Sequence, residues 1–179
     1  MAIGAVSSVT EKPGLQEVEE LFRQHHELVY RTAYSIVNNA ADAEDVVQSL
    51  FLRLVRRQVP PEVRTNVKGY LYRAAVNQSL DIIRSRRRYE LVPDVENLDV
   101  PSGAAESLFA ERLHLHLEAA LNELSPDAVQ ILVLRYTHNY SDKQIAALLG
   151  ISRTAVAVRL LRSRARLKKL MRDSLGEES

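Results

Sequence analysis

The chain has 179 residues, of which 46% are hydrophobic, and a formal net charge of +1. This length and composition allow one large or two small folded domains and argue against global disorder. The lack of cysteine excludes disulfides, thiol catalysis and cysteine-based zinc sites, and fits a reducing cytoplasm, which is the expected location.

Residues 1–14 are mostly small and polar and are expected to form an N-terminal tail. They lack the basic start and the long apolar stretch of a signal peptide. No apolar run approaches the ~18 residues of a membrane span, so we expect no membrane insertion.

Three helices are expected in the first half of the chain, as one domain over residues 15–88. Apolar residues recur at helical spacing over about residues 15–38, 41–57 and 68–87. The second helix has an acidic first turn, which complements the positive end of its dipole.

The third helix combines tyrosines with arginines and ends in an arginine cluster at residues 84–88. This composition suits single-stranded nucleic acid or a phosphate backbone. Core packing is the alternative for the tyrosines, and we favour it for Tyr70 but leave both uses open for Tyr72.

Residues 89–106 contain five acidic side chains and no lysine or arginine, and two prolines interrupt any long pattern. They predict a flexible acidic linker.

A second helical domain is expected over residues 107–173, followed by a tail at 174–179. No segment alternates with period two, so the predicted fold is all-α, with two small helical domains joined by this linker.

The second domain contains a pattern typical of a helix-turn-helix. Ser141 and Gln144 have the spacing of a capping box at a helix start. Gly150 suits the left-handed turn that ends this helix, and Ser152 caps the next helix. Two closely linked helices of this kind place the second one in a DNA major groove.

The second helix of this pair carries charge of one sign. Eight basic residues and no acidic residue occur from residue 153 to residue 172. The alternative is a solvated charged face, but such faces usually mix signs, so the pattern favours binding to DNA phosphates.

Several short motifs occur in a fixed order along the chain. They are Asp42-Ala-Glu-Asp-Val-Val-Gln48, Phe51-Leu-Arg53, Tyr70-Leu-Tyr-Arg73, Ala75-Val-Asn77, Leu124-Ser-Pro126, Ile145-Ala-Ala-Leu-Leu-Gly-Ile-Ser152 and Arg159-Leu-Leu-Arg-Ser-Arg164. In this order they resemble the bacterial extracytoplasmic-function (ECF) sigma factors, the smallest initiation subunits of RNA polymerase. The resemblance covers nearly everything from Leu15 to Arg172.

The resemblance implies that the second helix binds core RNA polymerase. The matching residues are Asp42, Glu44, Asp45, Gln48, Phe51 and Arg53. Carboxylates beside an exposed aromatic ring suit a basic partner helix. Dipole compensation is the alternative, but it accounts only for the carboxylates in the first turn.

The resemblance also implies that the third helix holds the downstream promoter element and takes part in strand opening. The matching residues are Asn77, Tyr72, Arg73, Arg84, Arg86, Arg87 and Arg88. Asn77 would hold a base flipped from the stack, since an amide both donates and accepts hydrogen bonds. The alternative for Asn77 is a local hydrogen bond within its helix.

Upstream promoter duplex would be read by the last helix. The implied residues, with the basic stripe included, are Arg153, Thr154, Ala157, Val158, Arg159, Arg162 and Arg166. Ala157 and Val158 depart from the family pattern, in which Lys or Arg and Ser are common. Apolar side chains meet thymine methyl groups but cannot hydrogen-bond guanine.

The implied function is a sigma factor that binds core RNA polymerase, recognises promoter DNA and promotes strand opening, with an anti-sigma factor as a further partner. No cofactor, metal, catalytic residue or small-molecule substrate is expected, since the histidines and glycines form no catalytic or phosphate-binding pattern.

The alternative to a sigma factor is a helix-turn-helix regulator with a ligand- or partner-sensing N-terminal domain. This alternative leaves the arginine cluster at residues 84–88 unexplained.

Overall fold

The computed structural model describes residues 13–57, 65–90 and 105–176, which form seven α-helices and no strand. These are α1 (Pro13–Val37), α2 (Ala40–Arg57), α3 (Val67–Glu90), α4 (Ala105–Glu123), α5 (Pro126–Tyr136), α6 (Asp142–Leu149) and α7 (Arg153–Leu175). The all-α prediction is confirmed for these ranges, and the helices begin and end within a few residues of the predicted positions. Residues 91–104 of the predicted linker, 1–12 of the predicted N-terminal tail and 177–179 of the predicted C-terminal tail lie outside the described residues, and α7 continues to Leu175.

Helices α1, α2 and α3 form an N-terminal lobe. Apolar residues at helical spacing, such as Val29 and Ala33 on α1 and Val46 and Leu50 on α2, are buried in its core. Not every apolar residue at this spacing is buried, since Val55 on α2 is 45% exposed. The last turn of α2 therefore presents an apolar side chain to solvent.

Helices α4 to α7 form a C-terminal lobe around α5. Ser125 caps α5, Pro126 opens it, and the six consecutive residues 129–134 are all buried. A helix buried on all sides must be covered by neighbours, and α5 packs against both α6 and α7. This central helix is the platform that holds the helix-turn-helix.

The two lobes pack against each other through α3. This helix contacts α1 and α2 in its own lobe and also α4, α5 and α6. Its buried stripe is correspondingly wide, since Leu71, Tyr72, Val76 and Leu80 are all shielded from solvent. The apolar core is therefore continuous from one lobe to the other.

In the part of the chain that the structure describes, no single helix has the length and apolar character needed to cross a membrane. Helices α6 and α7 pass that test only when counted together across their 102° bend.

Candidate nucleic-acid interface

The helix-turn-helix is built by local capping. Ser141 Oγ accepts a hydrogen bond from the Gln144 amide at 3.4 Å, and Gln144 Oε1 accepts one from the Ser141 amide at 2.8 Å. Gly150 then turns the chain at φ 69°, a left-handed conformation that costs glycine little. Ser152 Oγ accepts from the Ala155 amide at 3.1 Å and starts α7. The capping box, the glycine turn and the second cap are present as predicted.

Helix α7 divides cleanly into a buried side and an exposed side. Val156, Leu160 and Ser163 are buried against the lobe. All seven residues predicted to meet upstream duplex are exposed: Arg153, Thr154, Ala157, Val158, Arg159, Arg162 and Arg166. The structure thus brings these residues together on the solvent side of one helix.

Two cations of α7 have partners within the C-terminal lobe. Arg159 lies 3.5 Å from the Asp127 carboxylate, and Arg164 lies over the Tyr136 ring at 5.4 Å from its centroid. Both contacts are at the surface, where ion pairs and cation–π contacts contribute little stability.

Leu161, which was not among the predicted residues, is 70% exposed on the same side of α7. A single exposed leucine is common on a protein surface, but Leu161 continues a row of exposed residues on this helix. The signal was present in the sequence, because Leu161 is three residues after Val158 and seven after Thr154, which places all three on one helical face.

The residues on α3 that are predicted to contact the downstream promoter element differ in how far they are exposed to solvent. Asn77 and Arg88 are exposed, Arg73 is half-buried, and Arg84 is half-buried with its guanidinium 3.7 Å from Asp81. The side chain of Arg87 lies outside the described residues.

Tyr72 is not available to stack on a base in this structure, so of the two uses left open for it, core packing is the one observed. It is fully buried between the lobes, and its hydroxyl donates a hydrogen bond to the Gln130 carbonyl oxygen at 2.6 Å. Burial raises the pKa of the Tyr72 phenol well above its usual value. The apolar stripe of α3 is wider than one lobe requires, and Tyr72 belongs to the part that faces α5.

Arg86 also departs from its predicted role as a phosphate contact. Its guanidinium pairs with Asp42 at the start of α2 and lies 3.5 Å from Glu118 on α4, and it donates to the Val37 carbonyl oxygen at 3.2 Å. Two carboxylates and one carbonyl oxygen therefore contact the Arg86 guanidinium. These contacts connect the N-terminal lobe to α4 in this structure, in which the two lobes are packed together (the closed state).

The predicted polymerase-binding residues on α2 differ in how far they are exposed to solvent. Glu44, Asp45, Gln48 and Arg53 are exposed as expected. Asp42 is half-buried in the pair with Arg86 described above.

The predicted exposed aromatic of this group is buried. Phe51 is only 5% exposed, and its ring meets that of Phe22 edge-on with centroids 5.1 Å apart. Leu52, its neighbour, is 51% exposed instead. Leu52 lies four residues after Gln48, so the exposed face of α2 has an aliphatic side chain where an aromatic was expected.

Hydrogen bonds to backbone carbonyls join the lobes on either side of Tyr72. Asn66 Nδ2 donates to the Leu148 carbonyl oxygen at 2.9 Å, and the Arg31 guanidinium donates to that of Thr137 at 3.2 Å. Lys68 lies 5.0 Å from the centroid of the Tyr140 ring. The contact thus combines a shared apolar core with polar groups at its margin.

His138 lies inside this contact. Its Nε2 is 2.9 Å from Thr32 Oγ1, and its ring meets that of Tyr72 edge-on at 6.0 Å between centroids. Burial first, and then the cations of Arg31 and Lys68, lower the pKa of His138 to about 4.

We expect the lobe contact to weaken in acid because of His138. The pKa of His138 is lower in the closed state than the ordinary 6.5, so closure favours the neutral ring. The contact between the lobes is therefore most stable above pH 6.5 and loses stability as the pH falls towards 4. NMR titration of the His138 ring should give a midpoint well below 6.5. A His138→Gln variant should show a flatter pH dependence of thermal unfolding between pH 7 and pH 4. A His138 midpoint near 6.5 would contradict this expectation.

Two family models match the chain: Sigma-70 region 2 over residues 21–89, and Sigma-70, region 4 over residues 114–167. The ECF RNA polymerase sigma factor SigE of Mycolicibacterium smegmatis is 35% identical over 165 residues, covering 90% of this chain but 62% of SigE. The RNA polymerase sigma factor CarQ of Myxococcus xanthus is 32% identical over 161 residues, covering 89% of this chain and 92% of CarQ.

Two solved structures share the fold at low identity. The sigma factor RpoE of Bartonella quintana, in complex with the anti-sigma factor NepR, has a TM-score of 0.51 and 22% identity, covering 88% of this chain and 98% of RpoE. CnrH, in complex with the cytosolic domain of CnrY, has a TM-score of 0.51 and 23% identity, covering 89% of this chain and 90% of CnrH.

Proposed function

The chain belongs to the ECF sigma factors of RNA polymerase, and from this premise we propose that it directs the core enzyme to promoters through α7 and opens the strands through α3. The observation that carries the proposal is the exposure of all seven predicted duplex contacts on the second helix of a fully capped helix-turn-helix. Phosphate contacts by the basic side chains supply much of the affinity, so binding weakens steeply with salt.

The proposed polymerase dock is the exposed face of α2. Glu44, Gln48 and Leu52 follow one another at spacings of four residues and are all exposed. Asp45 and Arg53 lie to one side of this row, and Val55, which is 45% exposed, lies within it. A face that combines carboxylates with exposed aliphatic side chains fits a basic partner helix, and Leu52 takes the place that the resemblance assigned to Phe51.

The proposed downstream contact is centred on Asn77. Its side chain is exposed, and its amide makes no hydrogen bond within residues 13–57, 65–90 and 105–176. The local hydrogen bond that was the alternative for this residue is therefore not formed. An unpaired amide on an exposed helix face supports a role in holding a flipped base.

The free chain is proposed to be closed, and the lobes are proposed to separate on the polymerase. The closed contact holds Asn66 at the start of α3 against the end of α6. In a docked helix-turn-helix the first helix crosses the DNA backbone, so its surroundings must be open. We also propose an anti-sigma partner, since the RpoE and CnrH structures are complexes with a second protein, named an anti-sigma factor in the case of NepR.

The regulator alternative requires an apolar ligand pocket in the N-terminal lobe. A cleft of about 870 Å³ lies between the lobes, and charged side chains (Asp42, Arg86, Glu118) form part of its lining. This lining favours the sigma-factor function over a sensor for an apolar molecule.

Run-off transcription with purified core polymerase and promoter fragments tests the proposal. We expect transcripts that depend on the added chain, and co-purification of the chain with core polymerase. A chain that binds duplex DNA but neither co-purifies with the polymerase nor supports any transcript would favour the regulator alternative.

Replacing Asn77 by alanine is expected to reduce open-complex formation about tenfold while upstream duplex binding is unchanged. The magnitude follows from the loss of one or two hydrogen bonds to an unpaired base. Permanganate reactivity of unpaired thymines measures the open complex. Gln24→Ala, which removes an exposed side-chain amide from α1, is the control and should have no effect. Normal opening by the Asn77 variant would show that the base is held elsewhere.

A further inference from the structure

Helix α7 has a narrow apolar seam along the middle of its exposed side. Thr154, Val158, Leu161 and Ala165 follow one another at spacings of four, three and four residues, so they lie on one helical face. All four are exposed, with Val158 at 41% and Leu161 at 70%. This seam points away from the lobe, because the buried residues of α7 occupy the opposite side of the helix.

Basic side chains flank the seam on both sides. At 100° per residue, Arg153, Arg164 and Lys168 fall on one side, and Arg162, Arg166 and Lys169 fall on the other. No acidic residue occurs between residues 153 and 172. A helix with an apolar centre and cationic flanks is complementary to a DNA groove, which has base edges at its centre and a phosphate backbone along each side.

The chemistry of the seam limits which bases it can read. Its aliphatic members have neither donors nor acceptors, so they cannot distinguish guanine or adenine by hydrogen bonding. The thymine C5-methyl group is the apolar feature of the major groove, and contact with it removes aliphatic surface from water. Thr154 at the start of the seam has both a methyl and a hydroxyl group.

The following inference rests on the proposed function. We propose that this seam recognises the upstream promoter element by packing Val158 and Leu161 against thymine methyl groups. The preferred duplex is therefore rich in A·T pairs. Leu161 is thereby a specificity-determining residue, in addition to the seven predicted from the sequence. The flanking cations position the helix on the two backbones and carry little base preference of their own.

The test uses holoenzyme reconstituted from the full chain and core polymerase. Bound duplexes are selected from a randomised upstream element, and each thymine of the selected sequence is then replaced by uracil. Uracil lacks the C5 methyl group but keeps the hydrogen-bonding edge. We expect the selected duplexes to carry adjacent thymines, and each methyl that contacts the seam to change affinity about fourfold.

Variants assign the effect to the seam. Leu161→Ala and Val158→Ala should each bring the ratio of thymine to uracil affinities closer to one. Lys168→Ala, at the flank, should weaken both duplexes equally. Selected duplexes without thymine preference, or equal affinity for thymine and uracil forms in a working holoenzyme, would overturn the inference. An unchanged ratio in the Leu161→Ala variant would also overturn the inference. That result is expected if the seam binds a protein and not DNA. Failure to form holoenzyme would instead count against the proposed function.

Discussion

Replacing both Arg162 and Arg166 by alanine is expected to weaken binding of the upstream duplex about 100-fold, roughly tenfold for each arginine. Both side chains are exposed on the same flank of α7, and neither forms an ion pair in residues 13–57, 65–90 and 105–176. Their charges are therefore available to phosphates. The slope of log affinity against log salt should fall by about two, one for each arginine removed.

The double variant needs a control for net charge. Arg23→Ala combined with Arg112→Ala also removes two exposed arginines, but from α4 and from α1, where Arg23 pairs with Glu19 and Glu20. It should leave the salt slope unchanged. Fluorescence anisotropy with labelled duplex over a range of salt concentrations measures both quantities. An unchanged slope in the double variant would show that α7 is not the duplex-binding helix, even if its absolute affinity falls.

The helices and the turn of the C-terminal lobe could be predicted from sequence because their signals are local. The capping box at Ser141 and Gln144 and the cap at Ser152 are set by residues within one turn of the helix ends. The position of Gly150 follows from its own backbone conformation. None of these features depends on what packs against them, so a linear pattern is sufficient.

The predicted site residues that are buried or paired in this structure lie where a second element decides the outcome. Tyr72 and Arg86 both lie on the part of α3 that faces the other lobe, and the sequence does not show that α5 and α4 cover it. Phe51 has the spacing of a core residue, but the resemblance suggested an exposed role, and burial against Phe22 decides the case. Periodicity identifies a helix face but not the neighbour that packs on it.

The contact between the lobes can be tested directly at one glycine. A Cβ atom at Gly69 would come within 2.5 Å of the Leu148 carbonyl oxygen, which is backbone of the opposite lobe. It would also meet the side chain of Asn66, whose Oδ1 caps the start of α3 by accepting from the Gly69 amide at 2.9 Å. Gly69 lies in helix α3, where alanine is favoured over glycine by about 1 kcal/mol, which offsets part of the cost of shifting this cap. Alanine at this position should consequently oppose closure more than it destabilises its own lobe.

We expect Gly69→Ala to open the molecule while both lobes stay folded. The radius of gyration in small-angle scattering should rise by about 5 Å above the roughly 16 Å of a compact chain of this length. Helical circular dichroism should be unchanged. Ser85→Ala is the matched control, because it also raises helix propensity but lies about 24 Å further along α3. If closure limits access to the polymerase, the Gly69 variant should associate with core enzyme faster than the wild type. A compact Gly69→Ala variant with unchanged association would mean that α3 and α6 tolerate the extra carbon, and that this contact does not control opening.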